Sequence, residues 1–112
     1  MDGKNKDISG GFKISEDVII SVARLAALDV NGVACLDGDI NKISKLRNNG
    51  PIIVYMIEDV AALDVRIRVK NGKRAVAVAE EVQIAVKENV QSMTGVAVAR
   101  VNVIISGIVF DK

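Results

Sequence analysis

Between residues 60 and 95 the spacing of the apolar side chains changes once, from two to about 3.6. In VAALDVRIRVK, Ala61, Leu63, Val65, Ile67 and Val69 fall on one side of an extended chain, and Asp64, Arg66, Arg68 and Lys70 on the other. That alternation is the period of a strand with one wet face. After Asn71-Gly72 the stretch AVAVAEEVQIAVKENVQSMTG places Ala75, Val78, Ala79, Val82, Ala85, Val86, Val90 and Met93 on one arc of a helix, with Glu80, Glu81, Lys87, Glu88 and Gln91 opposite. A strand here would put Glu80, Val82 and Ile84 on the same face. Valine costs about 0.6 kcal/mol in a helix relative to alanine, so the five valines cost about 3 kcal/mol. Burying four of them at about 1.5 kcal/mol each outweighs that. Tertiary packing therefore holds this helix, and Gly95 closes it.

The rest of the chain follows the same two periods. FKISEDVIISVARLAALDVNGV predicts a short strand and then a helix, capped by Ser15, favoured at its positive end by Glu16 and Asp17, and stopped by Asn31-Gly32. A broad apolar arc of Val18, Ile19, Val22, Leu25 and Ala26 predicts that this helix is mostly buried, leaving Asp17, Ser21 and Arg24 toward water. IIVYMI is a strand joined to the basic strand by a tight turn at Glu58-Asp59. In VAVARVNVIISGIVF, alternation sends Ala97, Ala99, Val101, Val103, Ile105 and Val109 one way and Arg100, Asn102, Ile104, Ser106 and Ile108 the other. Gly32-Val33-Ala34 and Gly95-Val96-Ala97 each follow a helix and open a strand, a weak internal repeat. The expectation is an α/β (α+β) domain over residues 12–112 with two β-α-β-like units and a hairpin between them, behind a polar, Gly-rich tail, residues 1–11, expected to be disordered. Right-handed crossovers place both helices on one face of a mixed sheet. The opposite face is left exposed or covered by a partner.

Composition removes most chemistry. A chain of 112 residues buries about two thirds of its unfolded surface, enough for one core. Fifteen basic and 14 acidic residues nearly cancel, so no global field draws the protein to DNA or to a membrane. There is no histidine, which excludes Ser-His and Cys-His nucleophilic arrangements and the usual zinc and iron ligand sets. The single cysteine, Cys35, builds no disulfide framework and fits a reducing, cytosolic setting. No phosphate-cradling glycine loop is present. Asp37, Asp39 and Asn41 match the first oxygen positions of a calcium loop, but Lys42 replaces the glycine of the turn and Asn48 the bidentate glutamate, so DGD is a turn. Neither terminus carries a signal peptide or a spanning segment. No catalytic residue, metal site or cofactor is expected.

Surfaces remain as candidates. Neighbours on a helix lie about 100° apart, so Glu80 and Glu81 are a solvated face and not a catalytic pair. Ile84 sits among Glu80, Glu81, Lys87 and Glu88, where a protein partner would bury it. Arg66, Arg68 and Lys70 alternate along one strand, with Arg100 expected beside them, and Lys73 and Arg74 stand uncapped at a positive helix end. These cations offer an anion surface for RNA or anionic lipid, although the chain has few aromatic residues to stack bases. DINKISKLRNNGP, with Ile40, Ile43 and Leu46 at helical spacing among Lys42, Lys45 and Arg47, is a basic amphipathic turn of the kind that rests on a membrane surface, and at this length the preferred reading is a turn closing over the core.

The order of ISEDVI, VNGV, VAEEVQ, MTG and VNVIISGI resembles the alkaline-shock-protein family of cell-envelope stress proteins in Gram-positive bacteria. The resemblance implies a small, non-enzymatic, cytoplasmic scaffold that gathers at the membrane through integral-membrane partner proteins and supports envelope homeostasis. Homo-oligomers are compatible with it, and some relatives are linked to lipid metabolism. This chain departs from the family pattern at Asn71-Gly72, where an aromatic often precedes the glycine, and at Arg74, where a polar cap is usual. The resemblance carries no set of functional residues.

Overall fold

The computed structural model describes residues 13–37 and 50–110. The elements run α1 (Glu16–Leu28), β1 (Val33–Leu36), β2 (Ile52–Ile57), β3 (Val60–Lys70), α2 (Ala75–Thr94) and β4 (Ala97–Val109). The tail and segment 38–49, which holds the basic amphipathic stretch and most of the DGD turn, lie outside the described residues.

Strand β3 is the axis of the sheet. β4 runs parallel to it from Val60 to Lys70 and takes up one whole edge. β1 and β2, both antiparallel to β3, must therefore share the other edge: β2 pairs along Val60–Val65 and β1 along Ile67–Val69. Arg66 is the joint, its N–H donating to the Pro51 carbonyl at 2.8 Å and its carbonyl accepting from the Asp37 N–H at 2.9 Å. The sheet is mixed, as the sequence predicts.

Both helices cover one face. Ile19, Ala23 and Ala27 of α1 and Val78, Val82, Val86 and Val90 of α2 join Leu36, Ile52, Val54, Leu63, Val65, Ile67 and Val69 in a single core. Ser15 caps α1, its hydroxyl accepting from the Val18 N–H at 3.3 Å. Gly95, with φ 77°, ends α2 in the left-handed conformation. There Thr94 donates to the Val90 carbonyl and accepts from the Val96 N–H, turning the chain into β4. Gln83 and Gln91 tie α2 to β4 by hydrogen bonds to the Val101 carbonyl and the Val98 N–H, each 3.1 Å. Gly32, at φ 108°, lets the turn after α1 approach α2 so closely that a Cβ there would stand 2.6 Å from Val78 Cγ2.

Four details differ from expectation. Residues 13–15 form no strand, so the first unit is helix–strand; β3-α2-β4 alone, among the described residues, is a strand-helix-strand unit. Leu25, 67 % exposed, and Val18 turn to solvent, because the packed arc of α1 is the alanine-rich stripe Ile19, Val22, Ala23, Ala26 and Ala27. Met93 likewise lies outside the core, on the last turn of α2 beyond Val90. In β4 the register slips at Ala99 and Ser106, and each extra residue shifts the alternation by one. Val98 and Ile108, not Ala97 and Val109, therefore share the helix-covered side with Val101, Val103 and Ile105.

Candidate binding surfaces

The pleat of β3 puts Ala62, Asp64, Arg66, Arg68 and Lys70 on the face away from the helices, because Ala61, Leu63, Val65, Ile67 and Val69 are buried beneath them. Register then fixes their neighbours. Tyr55 stands beside Ala62 and Ile53 beside Asp64 on β2; Arg100, Asn102 and Ile104 stand beside Ala62, Asp64 and Arg66 on β4. Asp64 accepts from the Tyr55 hydroxyl at 3.2 Å and from Asn102 Nδ2 at 3.0 Å. With Met56, Ile57 and Arg100 these residues line a shallow cavity of about 490 Å³. Sequence reading missed this group. Its members share the wet side of three strands, yet only register shows that they meet.

The cations on this face are not one patch. Arg68 pairs with Asp37 at 3.2 Å. Arg100 does not lie beside Arg66 and Arg68: its register partner is Ala62, while Ile104 is the neighbour of Arg66. Asp64 and Asn102 therefore separate Arg100 from the rest. Arg66 and Lys70, both exposed, make no ion pair among the described residues. Lys73 and Arg74 belong to the start of α2, where Arg74 is the N-cap and makes no side-chain capping bond. Replacing Arg74 with serine is expected to stabilise the fold by about 1 kcal/mol, read as a raised midpoint in urea, because an N-cap hydroxyl satisfies a helix N–H that Arg74 leaves open.

The side of α2 away from the sheet carries Glu80, Glu81, Lys87 and Glu88, all exposed, around Ile84, 57 % exposed. The structure thus keeps the predicted residues together on this helix face. Among the described residues no group of three or more His, Cys, Asp or Glu side chains is placed to hold a metal ion, and no helix is long and apolar enough to cross a membrane.

Tyr55 supplies a spectroscopic handle on the sheet face. Its hydrogen bond to Asp64, then the charge of that carboxylate, then partial burial raise the phenol above its ordinary 10.0; Arg100 and Arg66 oppose the shift. A raised folded-state value means that the associated stability is complete below about pH 10 and is lost as pH climbs through the folded-state value. The chain has one tyrosine and no tryptophan, so ultraviolet absorbance follows this group alone. Titration is expected to give a midpoint above 10, and Asp64→Ala to lower it.

The sequence profile of the ASP23 family, described as having a cell envelope-related function, matches residues 4–110. The chain belongs to this alkaline-shock family. Its function is accordingly cell envelope-related. YqhY of Bacillus subtilis (strain 168) is 29 % identical over 107 residues, which cover 91 % of this chain and 79 % of YqhY. Among solved structures the fold is similar to that of the MamM CTD, with a TM-score of 0.55, 16 % identity and coverage of 83 % of this chain and 99 % of that one. A variant of the same domain in a manganese form superposes with a TM-score of 0.54 at 16 % identity, over 83 % of this chain and 99 % of that one. At these identities the likeness is one of fold.

Proposed function

We propose that the chain is a non-enzymatic, cytoplasmic protein-binding module of the Gram-positive cell-envelope stress response, held at the inner face of the membrane by integral-membrane partner proteins. The observation that carries this reading is the one-sided cover of the sheet. The helices cover one face, while the other presents Tyr55 at 45 % and Ile57 at 70 % exposure beside Ala62 and Val60 of β3, with Arg66, Arg68 and Lys70 farther along the same strand. A β3–β4 pair is parallel, and parallel pairs are ordinarily covered on both sides. The outer face of α2, with Glu80, Glu81, Ile84 and Glu88, is a second contact surface of opposite charge. The family's envelope-related description supports the setting. A photo-crosslinker at position 84, used in cells, is expected to capture integral-membrane proteins. Repeated failure to capture any partner from folded protein counts against this face.

A second reading, RNA or anionic lipid on the basic strand, draws support from Arg66, Arg68 and Lys70 sharing one face. Asp37 on Arg68 and Asp64 between the cations weaken it. It predicts binding that falls steeply with salt and disappears in the Arg66→Glu, Arg68→Glu double variant. Absence of binding at low ionic strength removes it.

A further inference from the structure

We infer that the cleft between the start of α1 and the end of α2 binds a basic amphipathic segment of a partner protein. The inference rests on the binding-module reading only for the class of partner. The cleft itself is a third surface, apart from the open sheet face and the outer face of α2.

Topology brings three turns of the chain to one end of the molecule. There α1 begins, the β2–β3 hairpin closes at Glu58-Asp59, and α2 passes through Gly95 into β4, whose Ala97 stands beside Val60. Between them lies an open cavity of about 770 Å³, within the range of protein ligand sites. Ile14, Met56 and Val96 line it, and the first two are exposed. Met93, on the last turn of α2, and Ile57 and Val60, on either side of the hairpin loop, are exposed at the same end. A concave, apolar lining with methionine at its edge suits the apolar side chains of a partner.

Charge selects that partner. Glu16, Glu58 and Asp59 line the cleft, with Lys13 the only cation among the described residues that do so. None of the three carboxylates has an ion pair among the described residues. Glu16 stands in the first turn of α1, where the helix dipole answers it. Glu58 and Asp59 have no such answer. The negative end of α2 adds to them at Thr94 and Gly95, because the last turn of that helix carries no basic residue. The remaining potential favours lysine and arginine and repels the phosphates of lipid and nucleic acid.

Glu58 also stands where a turn would prefer another residue. Ile57 pairs with Val60, so Glu58-Asp59 is a two-residue loop, and Glu58 takes φ 57°. Glycine fills that conformation most readily, so a glutamate there lowers the stability of the turn. What it contributes instead is a negative charge on the wall of the cleft.

Fluorescence anisotropy with a labelled synthetic helical peptide of leucine and lysine at amphipathic spacing tests this. The full chain is expected to bind it and to ignore a leucine–glutamate peptide of the same spacing. An alanine–lysine peptide is expected to bind about tenfold more weakly, the scale of losing a buried aliphatic contact. Glu58→Gly is expected to weaken binding severalfold while raising the urea midpoint, a pair of effects that a purely structural role for Glu58 does not produce. Ile14→Asp and Asp59→Lys, both at exposed positions, should each lower the affinity about tenfold while circular dichroism reports an intact fold. Glu81→Lys with Glu88→Lys, on the outer face of α2, should change it less than about twofold at about 0.15 M salt, where distant exposed charges are screened. A wild type that does not take up the leucine–lysine peptide overturns the inference, as do equal binding of the three peptides and full affinity in Glu58→Gly and Ile14→Asp. If affinity is lost in the Glu81→Lys, Glu88→Lys variant and kept in the cleft variants, the peptide sits on the helix face; the cleft inference then falls and the binding-module reading stands.

Discussion

Replacing Gly32 with alanine is expected to destabilise the fold by about 2 to 4 kcal/mol, measured as the shift of the urea unfolding midpoint at unchanged slope. Two effects add. At φ 108° an L side chain is strained wherever there is room for it, which costs on the order of 1 to 3 kcal/mol. Here there is no room either. The new Cβ would stand 2.6 Å from Val78 Cγ2, and Val78 is a buried residue on the first turn of α2, so it can yield only by moving the helix. The two contributions are separable. In a Val78→Ala background the steric part of the Gly32→Ala cost should disappear and the backbone part remain, leaving a coupling energy between the two sites. Equal costs in both backgrounds would show that backbone strain alone makes Gly32 necessary. The function of this turn is to pin the start of β1 against the second helix, and nothing but glycine permits both the direction and the distance.

Ile67→Ala should cost about 2 to 5 kcal/mol, the range for removing a large buried aliphatic side chain from a core that collapses only partly around the gap. Ile67 is fully buried, and its register neighbours are Leu36 on β1 and Ile105 on β4. It also adjoins Arg66, whose backbone holds the ends of both β1 and β2 to the β3 edge. The short strand β1, Val33–Leu36, has few other anchors. Hydrogen exchange should therefore show larger loss of protection at β1 than at β2. Uniform loss along the shared edge would mean that β1 does not depend on this contact. A cost under 1 kcal/mol would contradict the close-packed core drawn here.

Some of the candidate surface was legible in advance. Glu80, Glu81, Ile84 and Glu88 share a face because 100° per residue is a property of the helix itself, and Arg66, Arg68 and Lys70 share one because side chains alternate along any strand. Arg100 was placed wrongly, since its position relative to Arg66 depends on which residues of β4 stand beside β3. Two one-residue slips, at Ala99 and Ser106, decide that; Ser106 donates its hydroxyl to the Ile67 carbonyl at 3.2 Å beside the second. The Tyr55, Asp64 and Asn102 contacts depend on the same registers.

Periodicity established both helices, the hairpin and the mixed sheet with one helical layer. These follow from local geometry, which each segment carries wherever it is placed. Which helix side packs was decided in three dimensions: α1 buries alanines and turns Leu25 outward because only its small-residue stripe fits close against α2 and the sheet. So was the division of one β3 edge between β1 and β2, since pairing and register are contacts between segments distant in sequence, and the spacing within either segment is the same whichever edge it joins.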